Sequence, residues 1–142
     1  MAGSSYGSAD GIGTNAQFYY PNGIAIDTSG NVYVADIYNA VIRKVTSAGL
    51  GVLEFIPQFY FFHFIDNLSI FGNCELGSVT TLVGSTGMQA MINGVGSNAQ
   101  FYYPSDIACP AVAANGAVVL YIPDNGNYLL RKVAVATGAI NF

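Results

Sequence analysis

The stretch Gly11-Ile-Gly-Thr-Asn-Ala-Gln-Phe-Tyr-Tyr-Pro21 returns as Gly94-Val-Gly-Ser-Asn-Ala-Gln-Phe-Tyr-Tyr-Pro104, and this return decides the fold. Only Ile12/Val95 and Thr14/Ser97 differ, and both exchanges are near-isosteric. A second block follows in the same order. Tyr33-Val-Ala-Asp36 and Asn39-Ala-Val-Ile-Arg-Lys-Val45 recur as Tyr121-Ile-Pro-Asp124 and Asn127-Tyr-Leu-Leu-Arg-Lys-Val133. The offset is 83 residues in the first block and 88 in the second. The second copy therefore carries about five more residues around Val112 to Leu120, a loop-sized difference. Self-similarity of this kind marks a repeat architecture, in which each unit buries its apolar face against the next.

Each copy reads as a run of short strands. Gly23-Ile-Ala-Ile-Asp27 alternates small and β-branched residues and stops at the turn cluster Thr28-Ser-Gly-Asn31. Asn31 to Ala35 is a second strand, and Asp36-Ile-Tyr-Asn39 is a hairpin turn, because Asp and Asn side chains bond their own backbone. Ala40 to Val45 is a third strand, and Val79-Thr-Thr-Leu-Val83 is a fourth that ends at Gly84. The second copy has Asp124-Asn-Gly-Asn127 at the hairpin, and Asn-Gly is a strong hairpin signal. Four short antiparallel strands per repeat are the make-up of a propeller blade.

Composition agrees with an all-β fold. Only 8% of the 142 residues are charged and 17 are glycine, which suits short strands and tight turns better than polar-faced helices. Ten tyrosines and nine phenylalanines fit pleated surfaces. All four basic residues lie in two pairs, Arg43-Lys44 and Arg131-Lys132, against eight acids. No basic face exists to neutralise phosphates, so no nucleic-acid partner is expected. Cys74 and Cys109 are too few for a disulfide framework or a zinc site and are expected as unpaired thiols. Met1 to Gly13 lacks the basic and apolar regions of a secretory signal. The compartment stays open.

The stretch Pro21-Asn-Gly-Ile-Ala-Ile-Asp27, followed by Gly30-Asn-Val-Tyr-Val-Ala-Asp36 and Ile37 to Val45, resembles the NHL repeat. Asp10 to Phe18 looks like the extended linker of multi-repeat members, and the resemblance covers about two thirds of the chain, in Asp10 to Gly49 and Ser78 to Val133. It implies a β-propeller, of six blades, of which this chain holds repeat one (about 10–49 plus 78–84) and repeat two (about 93–142). The second copy departs from the pattern. Ser105-Asp106 stands for Asn22-Gly23, and Cys109-Pro110 for Ile26-Asp27. Proline cannot donate to a ladder, so the innermost strand of that unit is expected to be short. A fourth strand of the second unit is expected to start at Ala139-Ile-Asn-Phe142.

Leu50 to Gly77 has no counterpart in the repeat and separates Gly49 from the fourth strand at Ser78. Its Phe-rich run is interrupted by Glu54, Pro57, Gln58, His63, Asp66 and Asn67. Each central charge in a membrane span costs about 2.5–3.5 kcal/mol, so no membrane partner is expected. A ligand-gripping aromatic loop is one reading. The abrupt change of character at a blade junction favours another, a translated non-coding segment. An apolar run of high β-propensity is in either case an aggregation hazard.

Enzymatic sites need titratable or metal-binding clusters. The single histidine, His63, lies among phenylalanines in the inserted segment, and no histidine pair exists to hold zinc. Gly11-Ile-Gly13 and Gly94-Val-Gly96 are not phosphate loops, because no helix follows them. Asn15-Ala-Gln17 and Asn98-Ala-Gln100 could line a channel, and Asn67-Leu-Ser69 fits a glycosylation sequon. The recurring Asp36, Asn39 and Arg43, with Asp124, Asn127 and Arg131, form a structural motif. Each Asp at a hairpin mouth is expected to accept backbone N–H bonds and to pair with the arginine on the next strand. No catalytic residue, metal or cofactor is expected. The resemblance implies a non-catalytic protein-binding or scaffolding module, with self-association possible through open blade edges. A propeller enzyme of the lyase or lactonase kind with its catalytic blades elsewhere, or an extracellular or membrane-attached NHL protein, is the alternative.

Overall fold

The computed structural model describes residues 2–46, 77–110, 117–136 and 138–141. Apart from Gly77, the inserted segment with His63, Asn67 and Cys74 lies outside the described residues. Among the described residues, eight strands form two antiparallel sheets. They are β1 (Gly11–Ile12), β2 (Pro21–Ile26), β3 (Val32–Asp36), β4 (Val41–Thr46), β5 (Ser78–Gly84), β6 (Val119–Asp124), β7 (Leu129–Ala134) and β8 (Ala139–Asn141). The first sheet has the order β1-β5-β4-β3-β2 and the second β6-β7-β8. Among the described residues the only helical elements are three single 3₁₀ turns.

The strands fall where alternation and turn residues put them, with small shifts at their ends. β3 runs one residue further than expected and takes in Asp36, which stands opposite Val41 at the hairpin mouth. β2 starts at Pro21, a residue that can open a strand because its missing N–H is not needed there. In the second sheet the position of β2 holds no continuous strand. Only the isolated bridges Pro104 to Asp124 and Ala108 to Tyr121 pair this segment with β6. Pro110, where the first copy has Asp27, matches that shortening. β8 occupies the place of β5, and Val95 bridges Ala139 as Ile12 pairs with Ser78.

The two sheets pack face to face. On the first sheet Tyr33, Ala35, Ile42 and Val83 are buried, and they join Phe101, Ile107, Leu120, Ile122, Val133 and Ile140 of the second copy in one cluster. Full burial of such a side chain is worth about 1.5–3 kcal/mol, so this joint is the main apolar contribution to stability in the described residues. The inner ends approach most closely at Gly23, where any Cβ would collide with Cα of Asp106. Beside it Asn22 Nδ2 donates to Ser105 O at 2.8 Å.

Among the described residues, four non-glycine residues have left-handed backbone, and they come in equivalent pairs: Tyr20 and Tyr103 (φ 58° and 55°), and Ala40 and Tyr128 (both φ 57°). This conformation costs an L-residue about 1–2 kcal/mol. Tyr128 is 95% exposed, so its side chain has little to lose. Tyr128→Gly is expected to raise unfolding stability by about 0.5–1 kcal/mol, after the larger unfolded-state entropy of glycine is subtracted. Urea titration checks this, through a higher midpoint at unchanged slope.

Candidate functional site

The duplicated Asp-Asn-Arg residues converge at one corner of each sheet. In the first, Asp36 and Arg43 have fully buried side chains, and Nη1 of Arg43 donates to Oδ2 of Asp36 at 2.9 Å. Asn39 Nδ2 donates to the same oxygen at 2.8 Å, while Oδ1 accepts the Tyr19 N–H at 2.8 Å. Arg43 also donates from Nη1 to Gln17 O and from Nη2 to Ala9 O and Asp10 Oδ1. Its guanidinium carbon lies 5.1 Å from the centre of the Phe18 ring. Burial pushes the Asp36 carboxyl upward, against the lowering by Asn39, the Tyr19 N–H and Arg43.

The second corner repeats this geometry. Arg131 Nη1 donates to Asp124 Oδ2 at 2.8 Å, Asn127 Nδ2 donates to the same oxygen, and Asp124 Oδ1 accepts the Tyr102 N–H at 2.7 Å. Arg131 reaches Gln100 O, Ile92 O and Asn93 Oδ1, and it lies over Phe101 at 5.4 Å. The one chemical change is Asp10 to Asn93. Both supply a side-chain oxygen at 2.7 Å to Nη2. Asp10 does more, accepting the Thr81 N–H and hydroxyl. Comparing the copies one residue upstream of Gly11 and Gly94 would have shown this third partner.

These corners position something that a list of chemical motifs does not reveal. Each arginine and aspartate grips the backbone of a Gln-Phe-Tyr-Tyr-Pro segment, and the chain then turns left-handed at Tyr20 or Tyr103. The hairpin closes the grip: Ile37 N–H and Tyr38 N–H donate to Tyr20 O and Tyr19 O, and Asn125 N–H and Gly126 N–H to Tyr103 O and Tyr102 O. The result is a ladder of six tyrosine rings that crosses from one sheet to the other. Tyr6 packs on Tyr19, and Tyr19 and Tyr20 on Tyr38. Tyr38 meets Tyr103 and Tyr103 meets Tyr102, with centroids 4.6–5.9 Å apart. Tyr6, Tyr19, Tyr20 and Tyr38 are exposed. Gly126, in the place of Tyr38, has no room for a side chain, because a Cβ there would lie 2.6 Å from Tyr102 O.

The other polar cluster is the turn after β2. Asp27 accepts the Ser29 and Asn31 N–H groups, Asn31 Nδ2 and the hydroxyl of buried Tyr33. Burial pulls its pKa up, but these hydrogen bonds outweigh it and hold the carboxylate below its ordinary value. Burial and Asp27 push the Tyr33 phenol up, and burial, then the charge of Asp27, pushes the half-buried Cys109 thiol up as well. A thiol so shifted is a poor nucleophile at neutral pH. The two asparagine-alanine-glutamine stretches lie in and just after 3₁₀ turns, with Gln17 Nε2 bonded to Ser5. Among the described residues, no three His, Cys, Asp or Glu side chains gather to hold a metal ion.

Arg43→Lys cannot serve four acceptors and a ring from one ammonium, so it is expected to cost about 3–5 kcal/mol, nearly as much as Arg43→Ala. Urea unfolding by circular dichroism gives the comparison, and a lysine variant of parent stability would contradict it. Asp27 predicts a pH dependence. Its folded-state value lies below the unfolded one, so the carboxylate contributes stability above the ordinary value that is lost as pH falls through the folded-state value. Asp27→Asn should therefore lower the thermal midpoint at pH 6 and flatten its fall as pH drops below the ordinary carboxylate value.

Residues 18–42 match the family profile of the NHL repeat. The chain is 26% identical over 138 residues to NHL repeat-containing protein 2 of Bos taurus, covering 96% of this chain and 15% of that protein. It superposes with a TM-score of 0.57 and 25% identity on a crystal structure of a structural genomics protein of unknown function from Bacteroides thetaiotaomicron, covering 94% of this chain and 24% of that one. The chain thus spans less than a quarter of either relative. The profile falls on the segment that runs from Phe18, the ring against Arg43, through the left-handed Tyr20 and Asp36, to Ile42, so these residues match an NHL repeat and the chain is distantly similar to NHL repeat-containing protein 2.

Proposed function

We propose that the two sheets are blades of a β-propeller and that the chain is a non-catalytic protein-binding module that engages its partner through the tyrosine ladder. The observation that carries this reading is the ladder itself, six rings in mutual contact across both sheets and largely open to solvent. Tyrosine gives large amphipathic contact area for little lost side-chain entropy, which is why it dominates recognition surfaces. Two of the six are held in left-handed backbone, and strain of this kind concentrates at binding sites. The blade reading draws support from the four-strand order β2 to β5 and from the inner-to-outer pairing repeated in the second sheet.

The rings of the ladder are uncharged, so the face favours a neutral, extended segment whose own rings and carbonyls meet aromatic faces and phenol hydroxyls. A proline-rich peptide in the polyproline II conformation has that chemistry. The chain has no tryptophan, so its emission comes from ten tyrosines, of which Tyr6, Tyr19, Tyr20, Tyr38, Tyr102 and Tyr103 are in the ladder. Titration with a synthetic proline-rich peptide is expected to change that emission saturably, while a glycine-serine peptide leaves it unchanged. Tyr38→Ala, which removes the ring touching Tyr19, Tyr20 and Tyr103, is expected to weaken binding at least tenfold. No saturable change, or equal binding by Tyr38→Ala, would overturn the reading.

A further inference from the structure

We propose that the outer face of the second sheet docks head to tail on the outer face of the first sheet in another copy of this chain, rebuilding between copies the joint that holds the two sheets together within one. The internal joint is the template. One half is made by Tyr33, Ala35 and Ile42, all fully buried. The other is made by Phe101, Ile107, Leu120 and Val133, buried against them, with Cys109 packed at the edge. Both halves recur in the chain, each without its mate among the described residues.

The first half recurs 88 residues on as Tyr121, Pro123 and Leu130. Tyr121 and Pro123 are half-buried, and Leu130 is 61% exposed where Ile42 is completely covered. The second half recurs on the first sheet. Phe18, Ile24 and Ile26 stand 83 residues before Phe101, Ile107 and Cys109, and Val32 and Val45 stand 88 before Leu120 and Val133. Phe18, Ile24, Val32 and Val45 are only half-buried, and Ile26 is exposed. One end of the molecule thus presents tyrosine, proline and leucine in place of tyrosine, alanine and isoleucine. The other end presents the phenylalanine, isoleucine and valine side chains that cover them. The residues that differ do so by apolar exchange, so the chemistry of the joint is kept on both open sides.

A second copy is the occupant that fits both sides at once, because it carries the complementary half of each. The contact is heterologous, so it closes into a ring if its rotation permits and otherwise extends as a filament. Rings of about four to eight blades correspond to about two to four copies. One position sets the strength of the new joint. Inside the chain Gly23 admits the backbone of Asp106, but on the open side of the second sheet Asp106 itself stands in the place of Gly23. Its Cβ holds the inner ends apart, and the joint between copies is weaker than the one within.

Sedimentation velocity of the full chain over a rising concentration series tests this, with circular dichroism as the check on folding. The parent is expected to form a reversible species of about two to four chains. Leu130→Glu and Ile26→Glu, on opposite ends, should each weaken self-association at least tenfold. An equimolar mixture of the two should form a one-to-one dimer, since each keeps the half that the other lacks. Asp106→Gly should strengthen association. A parent that stays monomeric, which would leave these faces to further sheets of a longer polypeptide, overturns the proposal. So does association that survives Leu130→Glu, or a variant mixture that stays monomeric.

Discussion

A buried guanidinium is tolerated where its Nη hydrogens find acceptors, even with Nε of Arg43 unpartnered, and that constraint organises each half of this molecule. Arg43 takes its place through Asp36, two backbone carbonyls and Asp10, with Phe18 against the plane of the guanidinium. Those acceptors come from three separate stretches of chain, residues 9–10, 17 and 36. Satisfying one side chain therefore fixes the path of the N-terminal segment across the sheet, the entry into β2 and the hairpin between β3 and β4. An apolar core residue would contribute comparable burial without specifying that path. The ion pair is in this sense a device for register, and buried pairs are better attested in that role than as sources of net stability.

The same constraint explains why the two copies diverge where they do. Asp124, Asn127 and Arg131 preserve every contact that turns the chain, and Asn93 replaces Asp10 with no loss at Nη2 because only an oxygen is needed there. Asp10 is partly exposed, with 46% of its side chain open, and an ion pair in such a place contributes about 0–1 kcal/mol. The turn after the inner strand is under no comparable demand from the arginine. Asp27 becomes Pro110, and with it go the acceptor for a tyrosine hydroxyl and the donor for a ladder. The inner strand of the second sheet reduces to two bridges, while its outer strands keep their pairing.

Much of this was legible in the residues. The two blocks at different offsets mark the units, alternation marks β2 to β7, and Pro110 marks the weakened strand. The Asp-Arg pairing follows from a hairpin mouth facing the next strand. What was not legible depends on atoms brought together from distant segments. Asp10 and Asn93 precede the repeated block and look like ordinary linker residues until the arginine reaches them. Nothing local to Tyr33 says that its hydroxyl caps the Asp27 turn from the neighbouring strand. The left-handed conformation at Tyr20 and Tyr103 is hidden because tyrosine has no preference for it, so the backbone is set by its surroundings rather than by the residue.

A glycine at position 20 or 103 would make the same turn without strain, and Ala40 and Tyr128 show that the fold tolerates more than one residue type in left-handed backbone. At positions 20 and 103 the strained residue is a tyrosine in both copies, and at each it places a ring in the ladder. The rigidity needed to hold that conformation comes from the carbonyls of Tyr19, Tyr20, Tyr102 and Tyr103, each accepting an N–H from a hairpin anchored by the buried aspartate. Strain at the surface is thus balanced by order beneath it. A rigid aromatic surface loses little entropy on contact, so under the proposed binding role the buried ion pair would act by fixing the rings in advance.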